Sequence, residues 1–121
     1  MDRTKLLYVD DEDSLRILVK SQLTMEGFDV DTAEDGDDAL EMIATGNYDM
    51  VLLDIRMPRM DGIEVLKQLR KSDIKTRIIM LTAVTELTSA IEAVKLGAND
   101  YVTKPYNIED LLGCIHRVLA R

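Results

Sequence analysis

The chain has 121 residues, 46% of them apolar and 31% charged, which suffices for one hydrophobic core and is too short for two. Its 15 basic and 23 acidic residues leave a formal net charge of −8, which argues against direct binding to nucleic acid or to an anionic membrane surface. The longest apolar runs, such as Met50–Leu53, are four residues where a membrane helix needs about 20, and Met1-Asp2-Arg3-Thr4-Lys5 precedes no signal-peptide core, so a cytoplasmic protein with no membrane contact is expected.

The first predicted strand, Lys5–Val9, runs straight into Asp10-Asp11-Glu12-Asp13. Asp13 reads as the N-cap of the first helix, its neighbours favouring that helix's positive end, and Leu15, Leu18, Val19 and Leu23 form the apolar stripe. In the second strand, Asp29–Ala33, Phe28, Val30 and Thr32 alternate with Asp29, Asp31 and Ala33, the pattern of an edge strand with one wet face. Asp35-Gly36 caps the second helix, striped by Ala39, Leu40, Ile43 and Ala44. The third strand, Met50–Leu53, is apolar at every position, as burial on both faces requires, and exits into Asp54. Asp61-Gly62 reads as a turn and start of the third helix, with Ile63, Leu66 and Leu69 inward. The fourth strand, Arg77–Leu81, ends at Thr82, and its helix carries Ala90, Ile91 and Val94 before Gly97 closes it. The fifth, Asp100–Thr103, ends at Lys104-Pro105; Asn107 then caps a last helix striped by Leu111, Leu112, Ile115 and Val118. Cys114, the single cysteine, reads there as a small core hydrophobe, and His116, the single histidine, as a surface residue.

Strands alternating with helices of this length imply βαβ units and a parallel sheet covered on both faces. With right-handed crossovers the economical arrangement is a single doubly wound α/β domain of strand order 2-1-3-4-5. Strands one and three then lie side by side where the winding reverses, and ligands bind at the carboxyl ends there. Those ends bring together Asp10, Asp11 and Asp54, with Thr82 and Lys104 on the far side. The acids crowd into the same half of the chain, 17 against 6 basic residues in Met1–Glu64 and 6 against 9 in Val65–Arg121.

Three carboxylates this close repel, so either some stay protonated or a hard divalent cation sits among them. Oxygen-only ligands in an incomplete cage suit Mg²⁺. A metal site alone has no use for Lys104. A cation, a hydroxyl and a metal converging on one carboxylate suit phosphoryl transfer, in which catalysis is mostly positioning and charge neutralisation. Asp54 is then the candidate nucleophile, forming an acyl phosphate whose oxygens Lys104 and the Thr82 hydroxyl bind.

The motifs Leu6-Leu7-Tyr8-Val9-Asp10-Asp11-Glu12, Asp54-Ile55-Arg56-Met57-Pro58-Arg59-Met60-Asp61-Gly62, Leu81-Thr82-Ala83, Gly97-Ala98-Asn99-Asp100-Tyr101 and Lys104-Pro105 together resemble the receiver domain of bacterial two-component response regulators. The resemblance spans residues 1–121 and implies a five-fold βα domain of the flavodoxin-like kind. It implies that Asp54 takes a phosphoryl group from a histidine kinase or histidine phosphotransfer protein. It also implies that Asp11, Asp54 and the Arg56 backbone carbonyl ligate Mg²⁺, with Asp10 helping mainly through water. By the same resemblance Thr82 and Tyr101 turn inward on phosphorylation. That remodels the surface of helix four, strand five and helix five for a downstream protein, a fused output domain or a homodimer. A cis Lys104-Pro105 bond is implied too. Tyr106 stands where Phe commonly follows the Lys-Pro pair, a change expected to be tolerated. Arg56 and Val84 fall at positions that tune phosphoryl lifetime in the family.

Two other classes fit less well. Aspartate-nucleophile phosphatases carry a second Asp two residues after the nucleophile as general acid and base; Arg56 stands there, so poor turnover on external substrates is expected. A flavodoxin-like flavin binder needs a Ser-, Thr- and Gly-rich phosphate loop after the first strand, where Asp10–Asp13 would repel the phosphate. Dinucleotide binding lacks its Gly-x-Gly-x-x-Gly at the same place.

Overall fold

A computed structural model describes residues 3–121; Met1 and Asp2, where the segment read for a signal peptide begins, lie outside the described residues. The strands are β1 (Lys5–Val9), β2 (Asp29–Ala33), β3 (Met50–Asp54), β4 (Arg77–Ala83) and β5 (Asp100–Lys104), and each is followed by a helix: α1 (Asp13–Met25), α2 (Gly36–Thr45), α3 (Gly62–Lys71), α4 (Leu87–Lys95) and α5 (Ile108–Leu119). All neighbouring strands pair in parallel, in the order β2-β1-β3-β4-β5. Fold class and strand order are as the alternation of patterns predicts, with β2 at an edge. Strands three to five run one or two residues further than predicted, to Asp54, Ala83 and Lys104, because parallel pairing continues as far as Asp54↔Leu81 and Ala83↔Lys104. Among the described residues no helix is long and apolar enough to cross a membrane.

Side chains alternate across the sheet. Leu7, Val9, Val51, Leu53, Ile78 and Met80 pack under α2, α3 and α4, through Ala39, Ile43, Val65, Leu66, Leu69, Ala90 and Ala93. On the other side Leu6, Tyr8, Met50, Leu52, Ile79 and Leu81 meet α1 and α5, through Val19, Leu23, Leu111, Cys114, Ile115 and Val118. Cys114 is thus part of the core, and burial pushes its thiol up to about 11, which leaves it unreactive at neutral pH.

Four helix readings are corrected. The N-cap of α1 is Glu12, with no side-chain cap; Asp13 is the first helical residue, and its exposed carboxylate pairs with the half-buried Arg16. In α4 the buried positions are Ala90 and Ala93, and Ile91 and Val94 are exposed. A helix that lies close on a sheet seats its small residues inward, and apolar size alone does not set the facing. Leu18 of α1 and Ala44 of α2 likewise face outward.

The caps predicted at Asp35, Gly97 and Asn107 are present, and Asp61, read as a turn and helix start, caps α3. Asp35 and Asp61 accept from the backbone N–H groups of Asp38 and Glu64, and Gly97 closes α4 at φ +106°. At α5 the Asn107 side chain accepts from Asp110 N at 2.8 Å and the Asp110 carboxylate accepts from Asn107 N at 3.4 Å, a reciprocal capping box. Asn107→Ala is expected to cost about 1 kcal/mol, measured as a lower urea midpoint with an unchanged slope. A change in slope instead would show that the denatured or native ensemble had changed.

Candidate functional site

Parallel pairing places the carboxyl ends of β1, β3, β4 and β5 at one edge of the sheet. Val9 pairs with Leu53, so Asp10 and Asp54 leave adjacent strands at one level; Asp54 pairs with Leu81, one residue before Thr82, and Ala83 pairs with Lys104. Asp10, Asp11 and Asp54 each offer a carboxylate oxygen, and these oxygens lie within 4.8 Å of one another. Asp10 is 0% and Asp54 4% exposed, while Asp11 opens to solvent.

Lys104 holds the two buried acids together. Its Nζ donates to Oδ2 of Asp10 and to Oδ2 of Asp54, 3.0 Å in each case. Backbone donors take the other oxygens: Glu12 N to Asp10 Oδ1 at 2.9 Å, and Arg56 N to Asp54 Oδ1 at 3.2 Å. Burial pushes the Asp54 carboxyl above the usual carboxylate range, against the opposing pull of the Lys104 ammonium. Burial works against the Lys104 charge as well, but there Asp54 and Asp10 together win and its proton is held more tightly than in water. The pocket carries more negative than positive charge and is desolvated, which favours a further cation. Three hard oxygen donors within reach of one another, one of them open to solvent, fit Mg²⁺ with part of its water shell retained.

Five of the predicted site residues therefore gather at one end of the sheet, though not all touch. Thr82 is buried, and its hydroxyl donates to the Ala83 carbonyl at 3.0 Å and to neither carboxylate. Tyr101 is exposed, not turned in. The Lys104-Pro105 bond is cis. Asp61-Gly62 has a structural role: Asp61 caps α3, and the Gly62 N–H donates to Ile55 O at 2.8 Å, tying the helix start to the segment after Asp54.

Three features escaped the sequence reading. Arg56 pairs with Glu86, linking the loops after β3 and β4 beside the acidic pocket. Arg16 Nη1 donates to the Asp10 carbonyl at 2.6 Å, fixing the backbone of that acid from α1. Tyr8 Oη donates to Asp10 Oδ2 at 3.2 Å and lies 2.5 Å from Tyr106 Oη. The last had a signal, since Tyr8 is two residues before Asp10 and period-two geometry puts both side chains on the same side of β1. A second acidic group, Glu34, Asp35 and Asp38, is accounted for by the α2 cap and by the Arg59–Asp35 ion pair at 2.8 Å.

The doubly wound sheet thus carries an acidic triad at its switch point, with a half-buried lysine reaching across to it. A sequence model described as "Response regulator receiver domain" matches residues 6–116. The transcriptional regulatory protein DltR of Streptococcus agalactiae is 45% identical over 111 residues, 92% of this chain and 50% of that protein. The alkaline phosphatase synthesis transcriptional regulatory protein PhoP of Bacillus subtilis is 41% identical over 117 residues, 97% of this chain and 49% of that protein. Among solved structures, the Francisella response regulator 1452 receiver domain superposes with a TM-score of 0.91 at 38% identity, covering 98% of each chain. The chain belongs to the response regulator receiver domain family. Phosphorylation-dependent signalling in two-component systems is the general function of that family, and its members generally bind Mg²⁺ at an acidic pocket. The chain spans about half the length of these two curated relatives.

Proposed function

We propose that residues 1–121 act as one receiver unit in which Asp54 accepts a phosphoryl group from a phosphohistidine of a kinase or phosphotransfer protein. The observation that carries this reading is the Lys104 ammonium placed 3.0 Å from both of the buried acids Asp54 and Asp10. An Asp54 carboxylate oxygen attacks phosphorus, the P–N bond to the donor imidazole breaks, and its electron pair returns to the ring. Asp11, Asp54 and the Arg56 backbone carbonyl would hold Mg²⁺, with Asp10 assisting. Bound there, the ion supplies neutralisation of charge on the transferring group. Lys104 turns from the carboxylates to the new phosphoryl oxygens, and Thr82 gives up its bond to the Ala83 carbonyl to reach them.

The product replaces one negative charge with nearly two, and the change spreads from Thr82 along the end of β4. Exposed Val84, Ile91, Val94 and Tyr101 supply an apolar surface for the output beside it. Inward movement of Thr82 and Tyr101 remodels this surface of α4, β5 and α5, to which a downstream protein, an output domain of the same polypeptide or a second copy docks. Pro105 shapes the exit from β5. The switch works in the cytoplasm without touching nucleic acid or membrane itself. With Arg56 where a general acid would stand, it is no turnover enzyme on external substrates.

The test is intact mass after incubation with Mg²⁺ and acetyl phosphate. One phosphoryl adduct is expected, absent from Asp54→Ala and from an EDTA control. An adduct that persists in Asp54→Ala, or none on the folded protein, would overturn the assignment.

A further inference from the structure

Tyr8 is fully buried, yet it is not a purely apolar core residue: its ring belongs to the core cluster between the sheet and helices α1 and α5 while its hydroxyl reaches the acidic pocket. A phenol has one proton to give. That of Tyr8 goes to Asp10 Oδ2, so the 2.5 Å contact with Tyr106 is donated by Tyr106. The result is a directed chain, Tyr106 to Tyr8 to Asp10, running from the β5–α5 loop through the core to the end of β1. Among the described residues no buried side-chain nitrogen or oxygen is left without a partner, and this chain is what satisfies both phenols.

From this geometry we infer that Tyr8 and Tyr106 are positioning residues for the acidic pocket, holding Asp10 in the orientation in which it assists Mg²⁺. The inference rests on the reading of Asp10, Asp11 and Asp54 as the Mg²⁺ site. Asp10 Oδ2 has two side-chain donors, Lys104 at 3.0 Å and Tyr8 at 3.2 Å. When Lys104 turns to a phosphoryl group, Tyr8 is the side-chain donor that stays on that oxygen. A neutral donor suits the task, because it restrains the carboxylate without cancelling the charge the cation needs. Tyr106 holds Tyr8 in turn. It follows Lys104-Pro105 directly, so the segment Lys104–Tyr106 reaches Asp10 twice, directly through the lysine and indirectly through Tyr8. Phe at position 8 would fill the core equally well and supply no donor.

The experiment is an NMR titration of the full chain with MgCl₂, following backbone amides around Asp11 and Asp54, in the wild type, Tyr8→Phe, Tyr106→Phe, the double variant and Tyr48→Phe. Tyr48 donates to Asp31 at 2.7 Å, away from the pocket, and controls for loss of a phenol as such. Tyr8→Phe is expected to weaken Mg²⁺ binding about tenfold, the low end for an outer-shell partner, and Tyr106→Phe less. The double variant should be no weaker than Tyr8→Phe, because Tyr106 acts through Tyr8, whereas general loosening of the core would make the losses add. Tyr48→Phe should match the wild type. Wild-type affinity in folded Tyr8→Phe, or additive losses in the double variant, would overturn the positioning role while leaving the Mg²⁺ site intact. No Mg²⁺ binding by the wild type would overturn both. Should Tyr8→Phe not fold, Tyr106→Phe decides: weaker Mg²⁺ binding upholds the role and unchanged binding overturns it.

Discussion

Lys104→Ala is expected to lose about 2–3 kcal/mol of folding stability at pH 7.5 in metal-free buffer, read as a lower urea midpoint by far-UV circular dichroism, since the chain has no tryptophan to report. Removing one partner of a buried ion pair leaves the other charge uncompensated, at a cost of about 3–5 kcal/mol. The Lys104 side chain is 27% exposed, and solvent reduces that figure.

The loss has a characteristic pH dependence. The folded-state pKa of Lys104 lies above its ordinary value, burial being outweighed by Asp54 and Asp10. Its contribution is therefore complete below about pH 10 and fades only above that. Asp54 runs the other way for a carboxylate: burial raises its pKa despite Lys104 and the Arg56 N–H. The folded state binds that proton more tightly than the unfolded chain does, so stability falls as pH rises from the ordinary value of about 3.9 through the raised one. Without Lys104 the raised value climbs further, and the penalty extends to higher pH. The deficit of Lys104→Ala is thus expected to be small near pH 4 and largest at neutral pH and above. A deficit constant from pH 4 to pH 8 would show that lost packing of the lysine stem, not the unpaired carboxylates, is its cause.

Gly62→Ala is expected to lose about 3 kcal/mol, the upper end for overpacking, and to disturb Asp54 directly. A Cβ at position 62 would lie 2.3 Å from the Asp54 carbonyl oxygen and 3.0 Å from both Asp54 C and Ile55 Cα. All three are backbone atoms, which cannot swing aside as the tip of a side chain can. Relief requires either that α3 back away, breaking the Gly62 N–H bond to Ile55 O, or that the end of β3 shift and carry the Asp54 carboxylate off Lys104. The first outcome appears as destabilisation alone, the second also as slower phosphorylation of the folded fraction. Wild-type stability and wild-type phosphorylation together would mean that the helix start has slack the structure does not show. This close approach, and no special backbone angle, is why glycine stands at position 62.

The strand pattern and the helix stripes carried the architecture because both follow from local periodicity: four apolar residues in a row at Met50–Leu53, alternation at Asp29–Ala33, turn chemistry at Asp35, Asp61, Gly97 and Asn107. Where two local rules competed the reading failed. Asp13 and Glu12 are both acidic and adjacent at the start of α1, and only the position of the first helical turn decides that Glu12 is the N-cap. Ile91 and Val94 are larger and more apolar than Ala90 and Ala93, yet the alanines face the sheet.

By itself, then, the sequence determined the element order, the parallel sheet, the winding reversal between the first and third strands, and the identity of the acids and the lysine at the strand ends. These are one-dimensional signals, since a side chain at the end of a predicted strand can be assigned to the carboxyl edge without knowing any contact. Only the tertiary structure decided which of those groups touch. It brought Lys104 onto both Asp10 and Asp54, left Thr82 bonded to its own strand, faced Ile91 and Val94 outward, and linked Tyr106 to Tyr8 across 98 residues of sequence. Such contacts depend on the pitch of a helix on the sheet and on the reach of individual side chains, quantities of a few ångströms that periodicity does not encode.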